Sequence, residues 1–299
     1  MFVNSILLTL MTSLIIVGRA RGDFSTDQIK QIQKSYCKEQ LHCPPRTAEE
    51  IETLKKEAEY YTKSHKFNNK IKEAQITSRI PGSDARYKAI LDFLSLHVLL
   101  PKQSVIDLGC AAGAIIRQVQ IILDKLGGHG PMTGIELTPG WIEAAKEAQP
   151  EHDFFVGDVT VRHPSVDKTF DVILLNDVME HIAQGRYGCL FSTLWNYSHP
   201  GTVVYMHVPT VATQINEKAQ YFENIIPQSL LVAGMACAGF EMEMFEYDMK
   251  LSCGHRRDND VEAHYQKANC LTTLGYPKYY HILFRRPLVE GVSKVLNTF

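Results

Sequence analysis

Five short apolar runs, each leading into a stretch with helical periodicity, constrain this chain more than any other feature. They are Ser104 to Leu108, Met132 to Leu137, Asp153 to Val156, Phe170 to Leu175 and Thr202 to Val208. Runs this short, without polar alternation, suit strands buried on both faces, as in parallel sheets covered by helices. The intervening helices read as Ala114 to Leu126, Trp141 to Ala148 and Tyr187 to Tyr197, the last with Tyr187, Leu190, Phe191 and Leu194 in register. The alternation predicts a doubly wound α/β domain. Pro227 then opens a helix that Gly239 closes. Phe240 to Tyr247 and Tyr279 to Phe284 read as two further strands. The polar segment between them, at about 250–278, is long for a loop in a compact domain and is expected to be functional or locally stapled. With 299 residues, 45% of them hydrophobic, the chain holds one large or two small domains.

Helices precede this domain. Ser25-x-x-Gln28 and Thr47-x-x-Glu50 are capping boxes, followed by Ile29, Ile32 and Tyr36 in the first case and by Ile51, Leu54, Ala58 and Tyr61 in the second. A third helix, Asp84 to Val98, follows a Pro81-Gly82 turn. Pro44-Pro45 separates the first two, and Cys37 and Cys43 flank that break closely enough to bridge it in an oxidising compartment; packing as unpaired small hydrophobes is the alternative. At the N-terminus, Ile6 to Val17 is an apolar stretch followed by Gly18 and Ala20, a small-x-small pattern that suits a cleaved signal peptide. Arg19 and Arg21 follow the run rather than precede it, which suits a short anchor with the remaining chain in the cytoplasm. The expected organisation is a signal peptide or short anchor at 1–22, a helical extension at 23–83 and the main domain at 84–299. Secretory-pathway or secreted localisation is the expectation, with a membrane-anchored protein facing the cytoplasm as the alternative.

Val105-Ile-Asp-Leu-Gly-Cys-Ala-Ala-Gly113 is an apolar strand running into a small-residue loop that opens a helix. Such a loop lets backbone N–H groups and a helix N-terminus approach an anionic ligand group. It departs from the strict G-x-G-x-x-G dinucleotide fingerprint, because its small residues fall at Gly109, Ala111 and Gly113. Each following strand ends in an acid or amide: Glu136, Asp158, then Asn176-Asp177. Singly, each suits a turn or helix cap. In an open parallel sheet, however, these ends line one crevice, and four in succession beside the loop point to a ligand site.

This set resembles the class I S-adenosylmethionine-dependent methyltransferases, in particular those acting on small molecules. The resemblance spans Asp84 to Pro287 and rests on Asp107 to Gly113, Glu136, Gly157-Asp158, Phe170-Asp171 and Asn176 to His181. It implies a Rossmann-like, mainly parallel seven-stranded sheet with the last strand antiparallel, and S-adenosylmethionine as cofactor. It also implies transfer of the cofactor's methyl group to an oxygen or nitrogen of a small-molecule acceptor. By the same resemblance, the loop Gly109, Cys110, Ala111 to Gly113 binds the methionine part of the cofactor, supported by Asp107. Glu136, followed by Leu137, accepts the ribose hydroxyls. Asp158 faces the adenine amino group with Val159 beside the ring, and Asn176 completes the cofactor-binding set. Ala111 stands where many members have Gly, and the stretch from Asp107 to Glu136 is longer than common.

Methyl transfer from a sulfonium needs mainly positioning and a water-poor site, with a general base only where the acceptor must lose a proton. His181 is the candidate catalytic base, with His207 a second, and Tyr60 and Tyr61 are candidate lid residues. Asp177-Val-Met-Glu180-His181 resembles the Glu-x-x-Glu-His segment with which quinone-biosynthesis O-methyltransferases and small-RNA 3′-end methyltransferases hold a divalent metal. Asp177, Glu180 and His181 could share one helical face. Glu-His recurs here in relatives without metal, however, and Asp is shorter than Glu, so no metal is expected. Cys253, His255, His264 and Cys270 lack a strong zinc spacing, and a Cys253–Cys270 disulfide is the simpler reading. Arg256 and Arg257 suit either recognition of an acidic acceptor or a solvated loop. Of the seven cysteines, Cys110 in the loop reads as the free one. Asn196-Tyr-Ser198 is a glycosylation sequon, informative only if the chain enters the lumen.

Lys and Arg number 31 and Asp and Glu 33, for a net charge of -2, so broad attraction to nucleic acid or anionic membranes is not expected. The alternatives to a small-molecule enzyme are a protein or RNA methyltransferase, or a non-catalytic binding module on the same fold.

Overall fold

The apolar runs lie side by side because each is apolar on both faces and is satisfied only between two helical layers. The computed structural model describes residues 26–63, 85–216, 224, 228–247 and 279–288. Among these, seven strands form one sheet: β1 (Val105–Leu108), β2 (Met132–Glu136), β3 (Asp153–Val156), β4 (Phe170–Asn176), β5 (Ser198–Pro209), β6 (Glu241–Tyr247) and β7 (Tyr279–Arg285). Their spatial order is β3-β2-β1-β4-β5-β7-β6. Strands β1 to β5 run parallel, and β7 is antiparallel to both of its neighbours, as the resemblance implied. The helices are α1 (Thr26–Gln40), α2 (Ala48–Lys63), α3 (Ala85–His97), α4 (Ala114–Leu126), α5 (Pro139–Ala148), α6 (Tyr187–Asn196), α7 (Val211–Asn216) and α8 (Gln228–Cys237).

The two-residue period of the strands divides their side chains between two cores. Ile106, Leu108, Ile173, Leu175, Val204 and Met206 face one side, covered by Leu190, Phe191 and Leu194 of α6 and by Leu231 and Met235 of α8. Val105, Val172, Leu174, Val203 and Tyr205 face the other, under Ile90 and Leu94 of α3 and Ile116, Val119 and Leu123 of α4. Each fully buried aliphatic or aromatic side chain here contributes roughly 1.5–3 kcal/mol.

The differences from the sequence expectation are local. β1 starts after Ser104 because the Ser104 N–H and hydroxyl donate to the Asp171 carboxylate, at 2.8 and 2.7 Å. β2 stops at Glu136 because Thr138 and Pro139 start α5 in the N-cap and first helical positions. β5 begins earlier, at Ser198, with an irregular register between Phe170 and Val172 of β4. Gly239, at φ +91°, ends α8 as expected, its N–H and that of Phe240 donating to the carbonyls of Ala236 and Met235. The short helix α7 has no counterpart in the sequence reading. No helix among the described residues is long and apolar enough to cross a membrane. The apolar stretch within 1–22, Pro227, the 250–278 insertion and the proposed Cys253–Cys270 pair lie outside the described residues.

The capping box that opens α2 is present, the Thr47 N–H donating to Glu50 at 2.8 Å and the Glu50 N–H to the Thr47 hydroxyl at 3.2 Å. A bridge between Cys37 and Cys43 does not form. Cys37 bonds to Cys237 and Cys43 to Cys189, across 200 and 146 residues. The reason is geometric: α1 runs on past Cys37 to Gln40 and lies against α8, while Cys43 sits in the extended segment beyond it, which crosses α6. Cys110 is buried and unpaired, as expected.

The segment between α1 and α2 therefore forms a strap fastened to α6, with α1 fastened to α8. Its backbone runs so close to α6 that a Cβ on Gly188 would meet the His42 carbonyl oxygen at 2.4 Å and that of Gln40 at 2.8 Å. The buried Arg186 guanidinium donates to the Pro44 carbonyl in the same place. Gly188→Ala is expected to lower stability by about 1–3 kcal/mol, because backbone rather than a flexible side chain must yield. Gly185→Ala, with nothing within 4 Å of its added Cβ, is expected to change it little. Thermal denaturation of the two variants side by side measures the difference.

Candidate functional site

The loop after β1 alternates into the left-handed region, with φ +84° at Gly109, +47° at Ala111 and +78° at Gly113. Its start is tied to β2, the Gly109 and Cys110 N–H groups both donating to the Ile135 carbonyl, at 2.8 and 3.2 Å. A Cβ on Gly109 would lie 2.3 Å from Val178, so only glycine lets the segment after β4 close over the loop. Gly113 faces Gln149 and Phe154 rather than the open side, and Gln149 donates to its carbonyl at 3.0 Å. Its place is conformational: it does not line the cavity described below. Cys110 lies under the loop against Gly134 of β2, and burial pushes its thiol well up, so it is an inert filler there.

Glu136 is the hinge of this wall. One carboxylate oxygen accepts from the Ala111 N–H at 3.2 Å and the other from the Thr138 N–H at 2.9 Å. Burial raises its pKa against those hydrogen bonds. Asp107, almost fully buried, accepts from Asn176 Nδ2 at 3.4 Å, yet burial pushes its carboxyl up to about 7. Asn176 Oδ1 is buried with no hydrogen-bond partner among the described residues.

Asp158 has four donors. Thr160 supplies its N–H and hydroxyl, at 2.9 and 2.8 Å, and Arg46 supplies Nε at 2.8 Å together with one terminal nitrogen. Arg46 also reaches the Thr160 hydroxyl, at 3.0 Å. The sequence reading did not single out Arg46, which comes from the strap, 112 positions away from its partner.

The opposite wall is α2. Leu54, Glu57 and Tyr61 face inward while Ile51 is 44% exposed, so the buried face is turned from the one expected for this helix. Tyr60 points outward, and Tyr61 lies 5.8 Å from the Trp141 ring with its hydroxyl 3.4 Å from His181 Nδ1. Glu57 is 7% exposed, with one carboxylate oxygen 4.0 Å from the same His181 nitrogen. Burial, reinforced by the charges of Glu136 and Asp158, pushes the Glu57 carboxyl to about 7. Burial lowers the His181 pKa, against the pull of Asp177.

Asp177 borders this space, but its carboxylate is already engaged. Its φ is +54°, and its carboxylate is held by Arg86 at 2.8 Å and His207 Nδ1 at 2.7 Å. Burial pushes that carboxyl up, but His207 and Arg86 outweigh burial and hold it below the usual range. His207, fully buried, positions the turn after β4 and does not line the cavity. Met179 to His181 form a 3-10 turn rather than an α-helix, so Asp177, Glu180 and His181 do not share the helical face that a metal would need. No cluster of three His, Cys, Asp or Glu side chains arranged to hold a metal occurs among the described residues.

Together these walls enclose a cavity of about 730 Å³. Asp107, Gly109, Cys110, Ala111, Glu136 and Leu137 line it, as do Asp158, Val159 and Asn176, and so does His181. Glu57 and Arg46 lie on its far side, and the only hint of them in the sequence is that Glu57 falls between Leu54 and Tyr61 at helical spacing.

Residues 99–247 match the family model described as a methyltransferase domain. A protein of Invertebrate iridescent virus 6 named as a methyltransferase, 235L, is 29% identical over 99 residues, which is 33% of this chain; the match spans only about a third, 35%, of the viral protein. Among solved structures, an S-adenosylmethionine-dependent methyltransferase from Mesorhizobium loti aligns with TM-score 0.52 at 15% identity, covering 68% of this chain and 99% of that one. The Haloferax volcanii complex of a methyltransferase with the Trm112 methyltransferase activator aligns with TM-score 0.51 at 16% identity, covering 68% and 91%.

Residues 99–247 form a class I S-adenosylmethionine-dependent methyltransferase domain. S-adenosylmethionine is the cofactor of this family, and the methyltransferase domain here has the donor set for it. Glu136 accepts from the backbone N–H groups of Ala111, Leu137 and Thr138 and from the Thr138 hydroxyl, and the orphaned Asn176 Oδ1 adds a buried acceptor near the loop.

The raised pKa of Glu57 has a consequence for stability. Below its ordinary value of 4.5 the carboxyl is protonated in both folded and unfolded chains and carries no penalty. As pH rises through about 7 the folded protein must ionise a buried group, and that stability is lost. Glu57→Gln is therefore expected to raise the melting temperature of the ligand-free protein by a few degrees at about pH 8 and to leave it nearly unchanged at about pH 4.5. Melting curves of both proteins across that range provide the check; an equal effect at both ends contradicts the burial of this charge.

Proposed function

We propose that the protein transfers the methyl group of S-adenosylmethionine to an oxygen or nitrogen of a small-molecule acceptor. The observation that carries this reading is the cavity of about 730 Å³ between the strand ends and α2, within the roughly 300–1,000 Å³ of small-molecule sites.

In this reading the loop Gly109 to Ala111, with Asp107 and Asn176 beneath it, holds the methionine part. Glu136 takes the ribose hydroxyls, and Asp158 with Val159 bounds the adenine. The cofactor supplies a methyl group already activated as a sulfonium, so the chain has three tasks. The loop and Glu136 orient the donor. Leu54, Tyr61 and Trp141 keep water from the reacting centre. His181, neutral near pH 7 because burial lowers its pKa, accepts a proton from the acceptor where one must leave. Tyr61 and Glu57 approach its Nδ1 and so bear on its orientation.

We further propose that the chain matures in an oxidising secretory compartment. Supporting this are the Cys37–Cys237 and Cys43–Cys189 disulfides and the apolar stretch Ile6 to Val17. The sequon residue Asn196 is exposed at the end of α6.

Two measurements test these proposals. S-adenosylmethionine and S-adenosylhomocysteine are expected to raise the melting temperature, and Glu136→Ala to weaken both by about 10- to 100-fold, the loss of hydrogen bonds to a charged acceptor. Absence of stabilisation by either ligand defeats the enzymatic reading. For the compartment, protein from eukaryotic cells is expected to shift on N-glycosidase treatment and to resist alkylation at Cys37, Cys43, Cys189 and Cys237 unless reduced. An unshifted protein with those four thiols alkylated defeats it.

A further inference from the structure

Glu57 is a buried cavity acid on α2 whose chemistry the reading above uses only to orient His181. Asp158 has its four donors, Asp177 has Arg86 and His207, and Glu136 has the backbone at Ala111, Leu137 and Thr138 with the Thr138 hydroxyl. Glu57 is 7% exposed, and no described residue donates a hydrogen bond to its carboxylate. Its nearest charged or titratable partner is His181 Nδ1 at 4.0 Å, beyond hydrogen-bond distance. None of the cavity arginines donates to Glu57: Arg46 bonds Asp158, its charge only partly offsetting the acids around Glu57, Arg86 bonds Asp177 and Arg186 the Pro44 carbonyl, and no lysine lines the cavity. A carboxylate desolvated to this degree without a donor is costly, so the occupant of the cavity must bring the donor. With Glu57, Glu136 and Asp158 all facing one space, that donor is best cationic.

We propose that Glu57 binds the cationic nitrogen of an amine acceptor, next to His181; this rests on the methyl-transfer reading above. Glu57 comes from α2 and His181 from the turn after β4, and the two approach to 4.0 Å at the cavity, apart from the β1 loop and the ends of β2 and β3 that carry Glu136 and Asp158. Held there, the ammonium nitrogen gives one proton to the neutral His181 imidazole. Its freed lone pair bonds to the methyl carbon as the carbon–sulfur bond breaks, the sulfur keeping that electron pair. The positive charge passes from sulfur to the methylated nitrogen, which stays beside Glu57 until release. An alcohol acceptor of the same shape would leave the carboxylate without a cation.

The experiment uses the full chain loaded with S-adenosylhomocysteine, which lacks both the methyl group and the sulfonium charge. Binding of butylamine and benzylamine is compared with that of butanol and benzyl alcohol by calorimetry and thermal shift, in the wild type, Glu57→Gln and Glu57→Asp. At least one amine is expected to bind about tenfold more tightly than its alcohol. Glu57→Gln is expected to abolish that preference and Glu57→Asp to keep part of it. Glu57→Gln is also expected to change affinity for S-adenosylmethionine and S-adenosylhomocysteine equally. No amine preference in the wild type, or a preference that survives Glu57→Gln, overturns the proposal. So does a loss of affinity in Glu57→Gln for S-adenosylmethionine alone, which would assign the carboxylate to the sulfonium. Failure of S-adenosylhomocysteine to bind at all overturns the underlying methyl-transfer reading as well, and is seen before any amine is added.

Discussion

Two disulfides, one from α1 to α8 and one from the strap between α1 and α2 to α6, hold this N-terminal part in place, and the open side of the site depends on that hold. The sheet and its Gly-rich loop would form one wall without it, since β1, β2 and β4 pair through their own backbones and bury their own side chains. The second wall has no such support. α2 carries three exposed glutamates and three exposed lysines and brings few apolar side chains to the domain, so burial alone would hold it weakly. The strap places Arg46 at Asp158 and starts α2 where Glu57 and Tyr61 fall over the cavity. The close backbone approach at Gly188 shows how tightly the strap is seated.

Magnitudes decide which interaction keeps α2 in place. The Arg46–Asp158 pair, its side chains 17% and 21% exposed, is better shielded than a surface pair worth about 0–1 kcal/mol, yet both charges remain partly hydrated. Like charges act in the opposite sense, Glu57 facing Glu136 and Asp158 across the cavity. Two crosslinks that each close a loop of well over a hundred residues stabilise by roughly 2–5 kcal/mol apiece, more than the ion pair supplies. The covalent strap thus permits an acid-rich cavity that the same helix held only by side chains would tend to open.

The parts legible in the sequence are those set by local periodicity. Short unbroken apolar runs identified β1, β2, β3, β4 and the buried part of β5, because burial on both faces leaves no place for polar residues. The loop and the acids at the strand ends were legible because parallel topology brings all carboxyl ends to one edge. What was hidden depends on contacts between distant positions. Nothing near Cys37 or Cys43 signals a partner 200 or 146 residues on, and proximity in sequence suggested the wrong bridge. Arg46 follows two prolines in what reads as a break between helices. Glu57 was passed over because a glutamate on a helix with an exposed outer face is ordinarily solvated, and only the turn of that face, with Ile51 outward, brings it in. Asp177 shows the converse error: its spacing to Glu180 and His181 suggested a shared ligand set, but the left-handed turn at Asp177 aims its carboxylate at Arg86 and His207.

Counting the donors around each acid separates its structural from its chemical uses. Asp177, with two cationic or imidazole partners, fixes the turn after β4 and has nothing left to offer a ligand. Asp158 is likewise filled, so any adenine amino group must share the carboxylate with Arg46 or displace it; the strap, and not the loop alone, then sets how readily the adenine end is occupied. Glu136 is held by the backbone at Ala111, Leu137 and Thr138 and by the Thr138 hydroxyl. Glu57 is unfilled and nearly dry, the state a protein tolerates only where a ligand restores the missing donor. The acids of the cavity thus differ in how fully the chain itself satisfies them, and Glu57 is the buried one on α2, whose carboxylate takes no hydrogen bond from a described residue.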